Sequence, residues 1–216
     1  MLKQFVVIGL GRFGSSVARS LAEKGNEVLA IDRSEDIVEN ITDVVTHAVE
    51  ADATSKEVLE SLGVGNFDVA VVSIGSDMHS SILITLMLKE LEVPKVVSKA
   101  VSEMHGKILS KVGADQVVFP ERDMGERVAR HLITTNMLDY IEFTEEHSII
   151  ELLAPSGMIG KTLKDIDFRS KFKVTVMAIK RGDDINLAPG GDDKVLEGDI
   201  LVVVGENEQL EILKEE

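Results

Sequence analysis

The stretch FVVIGLGRFG, residues 5–14, decides the fold that the sequence predicts. It is a short apolar run that leads into glycines at positions 9, 11 and 14, the spacing G-x-G-x-x-G. A glycine turn between a strand and a helix presents unpaired N–H groups to an anion. The spacing is a weak signal alone, but here it follows a predicted strand, opens a predicted helix and precedes Asp32 at the end of the next strand. The pattern predicts a nucleotide-binding turn at the front of the chain.

The segment from residue 5 to about 119 alternates short β-branched runs with helical patterns. Six such runs predict an α/β fold, a Rossmann-like doubly wound parallel sheet. Residues 119–143 are predicted to form a charged amphipathic helix followed by a short one, and the tail is predicted to be a small α+β subdomain. The predicted domains are a Rossmann-like nucleotide-binding subdomain over 1–120, a helical connector over 121–139 and a C-terminal α+β regulatory subdomain over 140–216.

Composition narrows the class of protein. Among 216 residues, 38 acidic against 23 basic side chains give a formal charge of −15, which argues against nucleic acid because phosphate backbones are held by clustered Lys and Arg. The lack of cysteine fits a reducing cytoplasm. The N-terminus runs directly into a strand, so we expect no signal peptide. The longest uncharged apolar segment, residues 78–88, is too short to span a bilayer, so any membrane link is expected through a partner.

The first two strands supply the predicted phosphate and ribose contacts. Gly9 permits the tight turn, Gly11 lets the backbone approach a pyrophosphate, and Gly14 lets the helix pack on the sheet. Asp32 is predicted to accept hydrogen bonds from the ribose hydroxyls and to repel a 2′-phosphate, which disfavours NADP. The alternative for Asp32 is to cap the helix that begins near Ser34.

Further positions are candidates for the same site. Arg12 is placed to bind phosphate oxygens, because a cation at a helix N-terminus is otherwise disfavoured; its alternative is a solvated residue of the first turn. Asp52 ends the third strand where an adenine ring is usually held, with a cap or turn role as the alternative. Ser73, Ile74, Gly75 and Ser76 follow the fourth strand at the carboxyl edge, where ligands collect. The alternative for Ser76 and for Asp77 after it is to cap the next helix.

Catalytic motifs are missing from the sequence. The five histidines are scattered singly and none has metal-ligand spacing. The sequence contains no P-loop and no G-x-S-x-G elbow. We therefore expect a protein that holds a nucleotide without transforming it, and not an enzyme. The alternatives are a small NAD-dependent oxidoreductase and an NAD(H) sensor.

Four segments carry a resemblance to a known family: residues 5–32, 46–55 (THAVEADATS), 113–125 (GADQVVFPERDMG) and 198–205 (GDILVVVG). Together they resemble the regulator of K⁺ conductance (RCK) family, most closely its single-unit KtrA/TrkA-type potassium-uptake regulators. The resemblance covers essentially the whole chain. Classical TrkA proteins carry two such units in tandem, and this sequence contains one.

The resemblance implies a cytoplasmic gating subunit, peripheral to the inner face of the cell membrane. It implies a homodimer joined by a swapped crossover helix, and an octameric ring on a membrane-embedded potassium transporter of the KtrB/TrkH type. Members of the family bind ATP, ADP or NAD(H), and the single-unit form favours ATP or ADP. The ligand changes the shape of the ring and so controls K⁺ flux.

The resemblance also assigns residues to the nucleotide. Arg12 reaches the outer phosphates, Lys99 lines the pocket, and Glu121 faces the ligand across the dimer, where it helps to coordinate a divalent cation on a triphosphate. The alternative for Glu121 is an acid favoured by a helix dipole. Some relatives bind cyclic di-AMP in the C-terminal subdomain, in the region of Arg169 and Pro189, although no binding motif is matched. The full predicted nucleotide site is Gly9, Gly11, Arg12, Phe13, Gly14, Asp32, Arg33, Asp52, Ala53, Ile74, Gly75, Lys99 and Glu121.

Overall fold

The first sheet is built from short strands that are apolar on both faces. The computed structural model describes residues 3–133, 137–144 and 146–214. In the first strand Val6 and Ile8 pack into one core cluster and Val7 packs into another on the opposite face. Burial on both faces is typical of parallel strands covered by helices. The strands are β1 (Gln4–Ile8), β2 (Glu27–Asp32), β3 (His47–Glu50), β4 (Val69–Val72), β5 (Lys95–Lys99) and β6 (Gln116–Val118).

The strand order is β3-β2-β1-β4-β5-β6, and all pairs are parallel. This order confirms the predicted Rossmann-like doubly wound sheet. The chain reverses its direction of winding between β1 and β4, so a crevice opens at the carboxyl ends of these two strands. The helices are α1 (Arg12–Glu23), α2 (Glu35–Glu39), α3 (Lys56–Ser61), α4 (Met78–Glu90) and α5 (Glu103–Lys111).

Helix α1 packs on the sheet through one face of small and apolar residues. Gly14 and Ala18 are buried, and Val17, Leu21 and Ala22 pack against the cluster that contains Val7. Their spacing is that of a single helical stripe. The stripe fixes the helix against β1 and so places its N-terminus beside the crevice.

The second sheet is antiparallel, with the order β10-β9-β11-β8-β7. In β8 the buried residues Ser148, Ile150 and Leu152 alternate with partly exposed ones, as expected where one face covers a core. This sheet and its helices confirm the predicted small C-terminal α+β subdomain. Its elements are β7 (Met137–Glu142), β8 (His147–Leu153), α7 (Leu163–Ile166), α8 (Phe168–Phe172), β9 (Thr175–Arg181), β10 (Asp184–Leu187), β11 (Ile200–Glu206) and α9 (Asn207–Lys214).

The connector differs from the sequence prediction in one element. The helix α6 spans Pro120–Ile133. The prediction of a short helix after it, within residues 119–143, is wrong, because the strand β7 occupies Met137–Glu142. This strand pairs antiparallel with β8. A six-residue segment has weak local preference, and hydrogen bonding to a neighbouring strand decides its structure.

The chain divides into two compact units, Met1–Asp123 and Met124–Glu216, and the division falls within α6. The boundaries that the sequence predicts, at 120 and 139, stay predictions. Within the described residues, none of the helices combines the length and the apolar composition that crossing a bilayer requires.

A buried carboxylate lies at the start of the last strand of the second sheet. Asp199, just before β11, is fully buried and accepts hydrogen bonds from Nε and Nη2 of Arg181, each at 2.8 Å, and from the backbone N–H of Leu196 at 2.8 Å. The hydrogen bond from Arg181 holds the pKa of Asp199 below its usual value. The native state therefore favours the ionised form of this side chain.

We predict that Asp199→Asn lowers the free energy of unfolding by about 2 kcal/mol at neutral pH, because charge-assisted hydrogen bonds are lost. Since the folded pKa lies below the unfolded one, the Asp199 contribution is present above about pH 4 and is lost as the pH falls through the folded value. The difference between the two proteins should therefore narrow in acid. Denaturant unfolding between pH 7 and pH 3 measures this, with the exposed Asp192→Asn as control; equal stability at pH 7 would contradict the prediction.

Candidate functional site

The glycine turn that follows β1 has a backbone that side chains would disrupt. Gly9 has a φ of +88°, a left-handed value that favours glycine, and its N–H donates to the carbonyl oxygen of Ile31 at 2.8 Å. A Cβ on Gly14 would lie 1.9 Å from the carbonyl oxygen of Gly9. A Cβ on Gly11 would meet nothing within 4 Å, so the backbone there stands open. The three glycines thus serve the bend, the helix packing and the open approach.

Side chains on either side of the turn hold the residue between its first two glycines. The N–H of Leu10 donates to Oδ2 of Asp32 at 2.7 Å, and Oγ of Ser15 donates to the carbonyl oxygen of Leu10 at 2.5 Å. The other carboxylate oxygen of Asp32 accepts from the N–H of Ser34 at 3.1 Å. Asp32 therefore shapes the turn in addition to lining the crevice.

Helix α1 begins at this turn without a side-chain cap and without an acidic residue in its first turn. By contrast, α3, α4 and α5 have the N-cap residues Ser55, Asp77 and Ser102. Each of these side chains accepts a hydrogen bond from a backbone N–H of the first helical turn. Uncapped N–H groups and the helix dipole together favour an anion at the N-terminus of α1.

A cavity of about 690 Å³ surrounds the turn at the carboxyl ends of β1, β2, β4 and β5. That volume lies within the range of small-molecule and cofactor sites. Gly14 does not line it and acts from beneath the turn. The predicted residues that do line it are Gly9, Gly11, Arg12, Phe13, Asp32, Arg33, Asp52, Ala53, Ile74, Gly75, Lys99 and Glu121. The structure thus brings these residues together, and their contacts with a ligand stay predictions.

Three cationic residues line this cavity, Arg12, Arg33 and Lys99. Arg12 is exposed in the first turn of α1, whereas the side chain of Lys99 is only 11% exposed. Lys99 lies 5.9 Å from the ring centroid of Phe13, within cation–π range, and forms an ion pair with Glu121. The hydrogen bond from Lys99 lowers the pKa of Glu121. Glu121 thus lines the cavity of its own chain, and its predicted place facing a ligand across a dimer stays a prediction.

The carboxylate of Asp52 holds a turn beside the cavity. Oδ1 of Asp52 accepts from the N–H and the hydroxyl of Thr54, at 2.9 and 2.6 Å, and these bonds lower the pKa of Asp52. Asp52 therefore forms a turn and also lines the cavity. Within the described residues, no group of three or more His, Asp or Glu side chains is arranged to hold a metal ion.

Val101 and Ser15 were not predicted from the sequence, whereas Ser73 was expected at the carboxyl edge together with Ile74. Val101, two residues after β5, lines the cavity by the same carboxyl-edge rule that identified Ile74, so this rule could have found it. Ser73 also lines the cavity, and its buried hydroxyl has no hydrogen-bond partner among the described residues. Ser15 had no signal in the sequence, because its role depends on the folded path of the turn.

A second, smaller cavity of about 320 Å³ lies in the C-terminal unit. It brings together Arg169 and Pro189, the two positions that the sequence analysis named there, and adds Lys164. Its apolar walls come from Leu163 and Phe168, among others. The cavity thus combines the cationic side chains of Lys164 and Arg169 with apolar walls.

Two family models match the chain: the TrkA-N domain at residues 5–120 and the TrkA-C domain at residues 147–216. The chain is 46% identical over 205 residues to Ktr system potassium uptake protein C of Bacillus subtilis, which covers 95% of this chain and 93% of the relative. It is 43% identical over 214 residues to Ktr system potassium uptake protein A of the same organism, covering 99% and 96%. Identity to Ktr system potassium uptake protein A of Vibrio alginolyticus is 38% over 208 residues, covering 96% and 94%.

Solved structures agree with the fold. A structure titled "GsuK Channel" superimposes with a TM-score of 0.71 at 18% identity, which shows the fold alone. A structure titled "GsuK channel bound to NAD" has a TM-score of 0.55 at 25% identity. Both matches cover 99% of this chain but 39% and 38% of the channel chains, so this chain spans about two fifths of their length.

The glycines of the turn give a matched pair of substitutions. We predict that Gly14→Ala destabilises the fold by about 2–3 kcal/mol, because the new methyl group meets the backbone oxygen of Gly9. Gly11→Ala should leave the ligand-free stability within about 0.5 kcal/mol, as for an unobstructed surface change. It should still weaken ADP binding by about tenfold or more, since the methyl group crowds the approach of the phosphates.

Thermal unfolding and calorimetric titration with ADP measure the two effects separately. Unchanged ADP affinity in Gly11→Ala would exclude the turn from phosphate binding. Unchanged stability in Gly14→Ala would contradict the packing argument.

Proposed function

We propose that this chain, which belongs to the TrkA family of potassium uptake proteins, is a nucleotide-binding regulatory subunit that gates K⁺ flux through a membrane transporter. Family membership rests on the two domain matches and on relatives that are 46% and 43% identical over nearly the full chain. It confirms the predicted family and the predicted role in potassium uptake. The nucleotide, the assembly and the transporter partner are parts of the proposal.

The observation that carries the proposal is the uncapped glycine turn at the mouth of a large cavity. Its free helix N-terminus and Arg12 suit phosphates, and Asp32 suits ribose hydroxyls. The neighbour titled as bound to NAD supports a nucleotide ligand for this fold. The cations of the cavity, Arg12, Arg33 and Lys99, favour a polyphosphate, so ATP or ADP is the preferred ligand and NAD(H) the alternative.

The absence of a catalytic set favours regulation over chemistry. No histidine is among the described residues that line the cavity, and Lys99 is already engaged by Glu121. A hydride-transfer enzyme needs a proton donor or acceptor beside the nicotinamide. A small NAD-dependent oxidoreductase or an NAD(H) sensor is therefore the second choice.

The family and an exposed apolar stripe on α6 support the proposed assembly into homodimers. Met124, Val128 and Leu132 recur every fourth residue and are 56%, 49% and 82% exposed. Such a stripe suits a crossover helix that packs on a second copy in a homodimer. We propose that these dimers form an octameric ring on the cytoplasmic face of a KtrB/TrkH-type transporter. Nucleic acid is not among the proposed partners. Each nucleotide then biases the ring through its different affinity for the two ring shapes.

A second effector is proposed for the smaller cavity of the C-terminal unit. Arg169 and Lys164 there suit phosphodiester oxygens, and Pro189 and Phe168 offer apolar surface for a base. This combination favours cyclic di-AMP. Calorimetric titration of the full chain should give saturable heat that Arg169→Ala reduces by about fivefold or more in affinity, and that exposed Lys161→Ala leaves unchanged. Titration without heat would remove this ligand from the proposal.

The experiment for the main proposal is unfolding of refolded, ligand-free protein with ATP, ADP, NAD⁺ and NADH, each with and without Mg²⁺. A ligand at 100 times its dissociation constant adds about 2.7 kcal/mol of stability. We expect ATP and ADP to stabilise more than the dinucleotides, and Mg²⁺ to add to the effect of ATP if Glu121 shares the cation. Light scattering of the same samples tests the octamer. Stabilisation by dinucleotides alone would favour the redox alternative.

Arg12 is the residue expected to report phosphate number. Arg12→Ala should weaken ATP and ADP binding by about 1.5 kcal/mol or more, as for a lost charge-assisted hydrogen bond. Lys24→Ala is the control, since it makes the same charge change at the other end of α1, where the residue is exposed. Equal affinity of Arg12→Ala and Lys24→Ala would remove Arg12 from the mechanism.

A further inference from the structure

We infer that Ser15 is a positioning residue for the nucleotide: it fixes the peptide between Leu10 and Gly11 and thereby aims the N–H of Gly11 at the phosphates. Ser15 is not among the described residues that line the cavity, so it acts through the backbone of the turn. The inference rests on the proposed nucleotide binding and deepens it.

Leu10 is held at three points. Its N–H donates to Asp32, its carbonyl oxygen accepts from Oγ of Ser15 at 2.5 Å, and its side chain is 3% exposed in the core cluster with Val7 and Ala18. Of these anchors, only the Ser15 hydroxyl acts on the carbonyl that precedes Gly11. The bond spans the turn from the first helical residues back to the strand end.

The geometry of the peptide unit transmits this anchor to the next residue. The carbonyl of Leu10 and the N–H of Gly11 belong to one planar trans peptide, so they point in opposite directions. Ser15 holds the carbonyl on the side of α1, and Gly11 lines the cavity. Fixing the carbonyl therefore fixes the direction of the Gly11 N–H.

Gly11 benefits from such an anchor because its own backbone bond, from the N–H of Ser15 to the carbonyl oxygen of Gly11 at 2.9 Å, lies on the far side of the residue from its N–H. A Cβ at this position would meet no atom within 4 Å, so the backbone is open on that side. Glycine also loses more conformational freedom than any other residue when it is ordered. An N–H that is already oriented in the free protein lowers the cost of ordering the turn on binding.

Ser15 separates this positioning role from the role of Asp32. Replacement of Asp32 removes the bond to Leu10 and the predicted ribose contact together, so its effect has two causes. Ser15→Ala removes one hydroxyl, keeps Asp32 and introduces the strongest helix former into α1. A loss of affinity in this variant therefore does not come from loss of the helix.

The test is calorimetric titration of ADP into the full-length protein and three variants. Ser15→Ala should bind ADP about fivefold more weakly, the effect of one lost hydrogen bond. Ser15→Thr keeps the hydroxyl and should bind within about twofold of the original protein. Ser16→Ala is the matched control, because Ser16 is the next residue of the same helix and is exposed. Unfolding of the ligand-free proteins should differ little among all four.

The outcomes separate the inference from the proposed function. Equal ADP affinity of Ser15→Ala and Ser16→Ala overturns the inference while nucleotide binding stands. A Ser15→Thr variant as weak as Ser15→Ala also overturns it, because the hydroxyl is then not the cause. If the original protein binds none of ATP, ADP, NAD⁺ or NADH, the proposed function fails, and the inference fails with it.

Discussion

The close approach of α1 to the end of β1 is the constraint on which the rest of the nucleotide-binding unit depends. The position of a Cβ on Gly14 lies 1.9 Å from the carbonyl oxygen of Gly9, so this approach is open only to glycine. It lets α1 leave the turn directly against the sheet. The N-terminus of the helix then lies at the winding reversal between β1 and β4, where the crevice opens. A larger residue at position 14 moves the helix and the site together.

Carboxylates in this acidic chain are used largely to hold the backbone. Asp32 and Asp52 accept hydrogen bonds from backbone N–H groups at the ends of neighbouring strands. Asp77 caps α4, and Asp199 accepts a hydrogen bond from the N–H of Leu196 beside the second sheet. The hydrogen bonds to Asp52, Asp77 and Asp199 lower the pKa of each of these carboxyl groups and so favour its ionised form. In a chain of net charge −15, the cavity is lined by the cations Arg12, Arg33 and Lys99 and by the acidic residues Asp32, Asp52, Asp77 and Glu121. The cations and the uncapped N–H groups of α1 are the groups there that suit an anionic ligand.

The site is suited to binding phosphates. Its donors include backbone N–H groups and cations, both of which recognise phosphate oxygens. Lys99 connects the cavity to Glu121 in the first turn of α6, the helix that leaves the parallel sheet. A ligand that competes for Lys99 therefore acts on the start of this helix. For a regulatory subunit, such a contact provides the differential interaction that any population shift requires.

The sequence alone determined the parallel sheet, its helices and half of the cavity wall, 12 of the 24 described lining residues, because β-branched runs, helical stripes and G-x-G-x-x-G are local patterns with local causes. It failed at Met137–Glu142, where pairing with β8 decides the structure. Only the tertiary structure decided that Glu121 pairs with Lys99, and that Ser15 and Asp32 hold Leu10 from both sides. These contacts join residues whose proximity arises from the folded path of the backbone, and no local pattern encodes that path.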